Sequence, residues 1–218
     1  MANDLVTRTF SIVDLAGFTA LTEAHGDVEA ADLAVRFADL ASELLEPDDS
    51  VVKTLGDAVL LASSGPRAGL ELVSRLLDRC QSLDDFPLVR AGLHHGPAAE
   101  RGTDYFGSAV NLTARVAGQA SGSQVLVTDT VVAAARDLGL KVVDLGHHEL
   151  RNVAESTHLW EVALVAHQAG LVIDPVCRMR VDTSQAGGWL RHDEAEFWFC
   201  SLTCVGRFLA SPSTYTQS

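Results

Sequence analysis

Residues 51–62, VVKTLGDAVLLA, hold two short apolar runs, VVKTL and AVLLA, parted only by Gly56-Asp57. A glycine-aspartate pair between two such runs is the pattern of a tight β-hairpin, because the turn needs backbone angles that glycine adopts without penalty. This hairpin decides the fold class. Strand-like and helix-like segments alternate on either side of it, which alone would suit a doubly wound parallel sheet. A hairpin in the middle reverses one strand and predicts instead a mixed sheet with helices packed on it.

Working outward, FSIVDLAGFT (10–19) begins as a strand, with Phe10, Ile12 and Val13 directed to a core, and ends on an acid, Asp14. GFTALTEAHG reads as a short helix. DVEAADLAVRFADLASELLE reads as a longer one, with Val28, Ala31, Leu33, Phe37, Leu40 and Leu44 at three-to-four spacing, and PDDS stops it. Downstream of the hairpin, PRAGLELVSRLLDRCQSL is helical with Pro66 in its first turn, and PLVRAGLHHG is a strand that should end at Gly96-Pro97. AAERGTDYFG reads as a loop, SAVNLTARVAGQA as a helix, QVLVTD as a strand and DTVVAAARDLG as a helix. KVVDLG and HLWEVALV read as two late strands.

The chain has 218 residues, 47% of them hydrophobic, enough for a real core. Its formal charge of −13 leaves no basic footprint for nucleic acid and no polybasic segment for an anionic membrane. MANDLVTRTF carries no charged stretch followed by an apolar one, and no window approaches the roughly 18 apolar residues of a membrane span. A cytoplasmic location with neither nucleic-acid nor membrane partner is expected. Three of the four cysteines, Cys177, Cys200 and Cys204, fall after residue 170, where the texture changes to DPVCRM, a Gly-Gly turn and EFWFC. We expect a domain over 1–165, a linker over 166–173 and a small module over 174–218.

Asp14 ends one strand and Asp57 sits at the hairpin tip. Singly, each reads as well as a turn or capping acid. Together, on short apolar strands of one sheet, they can converge, and converging carboxylates repel unless a cation lies between them.

The successive segments FSIVDLAGFT, VKTLGDAV, RAGLHHGP and DYFGSAVNLTARV, closed by LRNV and LWEV, resemble the motifs of the class III nucleotidyl cyclase catalytic domain, in the family's order, across about residues 8–165. The resemblance implies an α+β, ferredoxin-like (βαββαβ-type) mixed sheet. It places Asp14 and Asp57 on the two metal-binding aspartates, with the Leu15 carbonyl as a further ligand for two divalent cations, Mg2+ or Mn2+. It places Lys53 and Asp104 on the purine-reading pair, and Asn111 and Arg115 on the residues that position the ribose and stabilise the transition state. Arg151, in the late loop, matches a triphosphate contact or is a solvated surface arginine. An ammonium that donates and a carboxylate that accepts suit N1 and the 6-amino group of adenine, so ATP is the expected substrate and cyclic AMP the product. A guanylate or promiscuous cyclase, or a silent cyclase-fold regulator, is the alternative. The family divides each site between two subunits, which implies a homodimer. One position departs from the pattern: Pro97 stands where the family often has a phosphate-holding arginine. Arg90, His94 and His95 read as structural residues, and Cys80 as a small buried hydrophobe.

The last 45 residues resemble the YHS domain. Its three cysteines can hold Zn2+ or another soft ion, with Ser201 capping the helix that carries Cys204 and His192 the nearest candidate for a fourth ligand. Alternatively the cysteines are reduced core residues and the module docks through Phe197, Trp198 and Phe199.

Overall fold

In a computed structural model, which describes residues 5–83, 86–164 and 171–216, the hairpin is formed. β2 (Ser50–Leu55) pairs antiparallel with β3 (Ala58–Ser63) around Gly56, whose φ of 69° is the left-handed value that explains the glycine. β3 pairs antiparallel with β1 (Leu5–Leu15), and β1 with β4 (Val89–Arg101). α1 (Phe18–His25) and α2 (Asp27–Glu43) connect β1 to β2, and α3 (Pro66–Gln81) connects β3 to β4. This β-α-β-β-α-β run in the antiparallel order β2-β3-β1-β4 is the ferredoxin-like core.

The sheet then extends. β5 (Asp104–Phe106) hairpins back onto β4, and α4 (Ser108–Gln119) leads to β6 (Val125–Thr128), which pairs parallel with β4. α5 (Asp129–Asp137) precedes β7 (Val142–His148) and β8 (Thr157–Val162), which complete the order β2-β3-β1-β4-β6-β8-β7 among the described residues. The sheet is mixed: the hairpin and its neighbours are antiparallel, and β4 and β6 supply the parallel pair.

Period-2 alternation along β1 assigns the two faces. Val13 and Leu15 join Val59, Leu61, Ala91 and Leu93 in a core covered by Phe37 and Leu40 of α2, Leu70 and Leu76 of α3, and Val131 of α5. Phe10 and Ile12 point the other way, with Leu60 and Ala62, against Ala109 and Ala117 of α4 and the ring of Tyr105. α4 comes very close to the sheet at Gly92, where a Cβ would meet the Ala117 backbone nitrogen at 2.2 Å.

Three sequence expectations are corrected. β4 does not stop at Gly96-Pro97: it continues to Arg101, and Pro97, opposite Thr7 of β1 on one side, falls on the other between the pairing with β6 (Ala91–Leu93) and with β5 (Ala99–Arg101), where a missing N–H costs least. The supposed loop AAERGTDYFG therefore contains the end of one strand and the whole of another. In α2 the buried residues are Ala30, Phe37, Leu40 and Ala41, while Val28 is 75% exposed.

The C-terminal segment forms two small hairpins and a helix. β9 (Leu171–Ile173), within the expected linker, pairs with β10 (Arg180–Asp182), and β11 (Gly188–His192) pairs with β12 (Ala195–Phe199). The second hairpin turns at Asp193-Glu194, both left-handed, and not at the glycines; Gly187 instead lies where a Cβ would meet the Cys200 carbonyl oxygen at 2.5 Å. α6 (Leu202–Ala210) is capped by Ser201, which accepts from the Cys204 N–H, and α7 (Pro212–Tyr215) follows. Residues 165–170, which hold most of the expected boundary, lie outside the described residues.

Candidate active site

Asp14 and Asp57 are brought together by backbone geometry. β1 runs to its end beside the β2–β3 turn, where the Leu15 N–H donates to the Asp57 carbonyl oxygen at 3.3 Å and Asp14 pairs in register with Ala58. Asp14 follows Phe10 and Ile12 in alternation, so it lies on the α4 face of the sheet, at the edge of the apolar packing. Burial, and then the charge of Asp14, push the Asp57 carboxyl up to about 6. Two carboxylates that resist simultaneous ionisation are a natural cation site, and hard oxygen donors suit Mg2+ or Mn2+.

Arg90 is part of this arrangement. It faces Asp14 across the β1–β4 ladder and donates from Nε (2.8 Å) and Nη2 (2.5 Å) to the same oxygen, Oδ2, while its Nη1 reaches the Ala120 carbonyl. Both bonds fall on one oxygen, so Arg90 fixes the carboxylate and leaves Oδ1 uncommitted to it.

Lys53 and Asp104 also meet, 51 residues apart in sequence. Lys53 pairs in register with Leu60 and so shares the α4 face; its Nζ donates to Asp104 Oδ2 at 2.8 Å and lies 5.5 Å from the centre of the Phe106 ring. The lysine bond holds the Asp104 carboxyl below the usual carboxylate range, and its other oxygen accepts from the Tyr105 N–H. Half-exposed, the pair is an open donor–acceptor set.

Asn111 and Arg115 stand one turn apart on the exposed face of α4, while Val116 and Ala117 face the sheet. Arg151 is exposed in the turn between β7 and β8, next to the buried Leu150. His94 is half-buried and hydrogen-bonded to Thr128, and its partial burial lowers its imidazole to about 4, so it is neutral; His95 bonds Thr9. Cys80 is buried, its thiol pushed up to about 12.

The family described as the adenylate and guanylate cyclase catalytic domain matches residues 2–162. The chain belongs to that family. A pH-sensitive adenylate cyclase of Mycobacterium tuberculosis is 37% identical over 166 residues, 74% of this chain and 42% of the relative. An adenylate cyclase of Streptomyces griseus is 36% identical over 115 residues, 52% of this chain and 29% of the relative. The chain thus spans less than half the length of these curated relatives. An adenylate cyclase of Trypanosoma brucei, solved in its monomeric state, superposes with a TM-score of 0.63 at 24% identity, covering 81% of this chain and 93% of that one. The adenylyl cyclase CyaB of P. aeruginosa gives a TM-score of 0.59 at 18% identity, covering 76% and 98%. At those identities the structures establish the fold alone, and that fold is the cyclase mixed sheet.

Sequence reasoning took Arg90 as structural and did not connect it with Asp14. The available signal was its place in RAGLHHGP, one of the segments that resemble the family's motifs. It also missed Arg180, one of the few buried charged residues. Its guanidinium donates to the carbonyls of Cys80 (2.7 Å), Gln81 (3.1 Å), Leu83 (2.7 Å) and Phe86 (3.0 Å), closing the C-terminal end of α3, and nothing in DPVCRMRV announces it.

Proposed function

We propose that the chain is an adenylate cyclase, converting ATP to 3′,5′-cyclic AMP and pyrophosphate in the cytoplasm at sites shared by two copies. The observation that carries this reading is the convergence of Asp14 and Asp57 at the end of β1, in a family whose fold the chain adopts. With the Leu15 carbonyl they offer hard oxygen donors. Two divalent cations held there would lower the pKa of the ribose 3′-hydroxyl and neutralise phosphate oxygens.

The chain's own residues then act on substrate. Lys53 donates to adenine N1 and Asp104 accepts from the 6-amino group; their direct ion pair sets this polarity before substrate arrives. Guanine offers the reverse pattern and would leave both groups opposed. Asn111 orients the ribose for in-line attack on the α-phosphorus. Arg115 meets the charge that grows on the α-phosphate oxygens, an interaction stronger in the transition state than in the ground state. Arg151 holds the leaving pyrophosphate. Arg90, bonded to Asp14 Oδ2, aims the remaining oxygen. Asn111 and Arg115 lie on an outward helical face and serve the aspartates of the second copy, so that a two-fold dimer has two equivalent sites. We take residues 174–218 as a YHS-like unit fused to this domain.

The test is incubation of the full chain with ATP and, separately, GTP in Mg2+ and in Mn2+, quantifying cyclic nucleotide and pyrophosphate against Asp57→Ala. Cyclic AMP that vanishes with Asp57→Ala supports the reading. No product from a folded, dimeric sample, or a preference for GTP, refutes it.

A further inference from the structure

The cysteines of the C-terminal segment meet a residue from near the other end of the chain. Cys177 Sγ lies 3.4 Å from Cys200 Sγ, which lies 3.7 Å from Cys204 Sγ. His25, the last residue of α1, brings its Nε2 to 3.6 Å from the Cys200 sulfur and 3.9 Å from that of Cys204. All four donor atoms fall within 4.8 Å of one another. Around a tetrahedral ion with metal–sulfur bonds of about 2.3 Å and a metal–nitrogen bond of about 2.0 Å, sulfurs sit about 3.8 Å apart and sulfur and nitrogen about 3.5 Å apart. The four separations above are close to those values, and the other two, from Cys177 to Cys204 and to His25, are within 4.8 Å. The imidazole brought to the sulfurs is therefore not that of His192, which stands edge-on to the Phe208 ring and beside Asp193.

We infer that His25, Cys177, Cys200 and Cys204 form a structural Zn2+ centre that clasps the C-terminal segment to helix α1 of the cyclase domain. Three thiolates and an imidazole are a nitrogen-and-sulfur set that suits Zn2+ and not the hard cations of an oxygen site, and four protein donors leave no open position for catalysis. The surroundings hold the donors in place. The buried Asp174 carboxylate accepts from the N–H groups of Val176, Cys177 and Cys200, tying the turn that carries one cysteine to the strand end that carries another. Ser201 caps α6 through the Cys204 N–H and sets that thiol in the first helical turn. The second ring nitrogen of His25, Nδ1, faces Glu29 Oε2 at 3.6 Å, the carboxylate–histidine arrangement that orients metal-bound imidazoles. A cleft of about 300 Å³, lined in part by Leu21, His25, Glu29 and Met179, opens beside the imidazole and gives an ion a way in. Packing alone accounts for buried cysteines beside Phe199 and Phe208, but not for an imidazole nitrogen aimed at two of their sulfurs.

The site is tested on the full-length chain, reduced, stripped of metal and reconstituted with Zn2+ or Co2+. Wild type and His192→Ala should each bind about one Zn2+ per chain, with intense cobalt–thiolate absorption marking a tetrahedral site. Cys204→Ser should lose that absorption. His25→Ala, a helix-compatible change at a partly exposed position, should bind Zn2+ at least about 100-fold more weakly and lose the Zn2+-dependent rise in Tm expected of wild type. Reduced, folded wild type that takes up no metal overturns the inference. So does His25→Ala with unchanged affinity and cobalt spectrum, the result expected of a three-sulfur site that ignores the imidazole.

Discussion

Arg180→Met tests whether the C-terminal segment is part of the folded unit or a tethered addition. The substitution keeps most of the aliphatic stem and removes every donor from the carbonyls of Cys80, Gln81, Leu83 and Phe86. An α-helix leaves its last carbonyls without intrahelical partners, and a cation there also meets the negative end of the helix dipole. The bonds to Cys80 and Phe86 are buried, and each should contribute about 1 kcal/mol net; those to Gln81 and Leu83 are half-buried, where water can substitute, and should contribute about half as much each. The loss is therefore about 3 kcal/mol, with the dipole contribution offset by the desolvation that the variant no longer bears. For a chain of this size about 1 kcal/mol moves Tm by about 2–4 °C, so the first transition in calorimetry should fall by about 6–12 °C. A loss under about 1 kcal/mol, with the segment still protected from protease, would refute the reasoning.

Three further outcomes concern the active site. Protonated Asp57 is a poor ligand and its folded value is raised to about 6, so cyclic AMP formation at limiting Mg2+ or Mn2+ should fall as pH drops through about 6. Saturating metal should move that limb to lower pH, and a limb that ignores metal concentration refutes the competition. In the metal-free chain the sign for stability is opposite: the raised value means that this group's contribution is full below about 3.8 and is lost as pH rises through about 6. Gly92→Ala should cost about 1–3 kcal/mol in chemical denaturation and lower kcat, because the new methyl meets the Ala117 backbone and lifts α4 with Asn111 and Arg115; unchanged values of both would show that the close approach is immaterial. The double change Lys53→Glu, Asp104→Gly should shift the ratio of kcat/KM for GTP over ATP upward by about 100-fold or more, and an unmoved ratio would remove this pair from base selection.

The parts of this molecule that are legible in its sequence are those set by neighbours in the chain. The hairpin follows from a glycine between two apolar runs, and strand alternation puts Asp14 on the face of Phe10 and Ile12; that the hairpin tip with Asp57 lies beside it was legible only through the family resemblance. β5 was not legible because Asp104–Phe106 is three residues long and pairs only with the far end of a strand expected to stop at Pro97. The proline stops pairing only where a neighbour needs its N–H, and which part of β4 lacks that neighbour is a tertiary fact. His25 and Arg180 lay further out of reach: the histidine meets Cys200 across 175 residues and the arginine meets Cys80 across 100, and no spacing rule spans such separations. His192 had the advantage of being near in sequence, and that was its only advantage.

The contacts between the C-terminal segment and the cyclase domain have a shared geometry that a truncation can test. Arg180 closes the end of α3, Met179 forms a bridge with Pro87 just before β4, Ala24 of α1 is buried among Val176, Phe199 and Phe208, and the Arg178 side chain lies over Gly17. Gly17 has a φ of 80° and sits in the turn that follows Asp14 and Leu15, so the segment packs directly behind the strand end that carries the candidate metal ligands. A chain ending at residue 165 would uncover all four contacts at once: it would leave the α3 carbonyls as exposed as in Arg180→Met and add the lost apolar cover of α1. It should therefore unfold below the Tm of Arg180→Met, and α1 should lose amide-exchange protection before the central strands do. If the shortened chain instead melts with the full-length protein and keeps α1 protected, the segment packs on a domain that does not depend on it, and the Arg180 bonds do not stabilise α3.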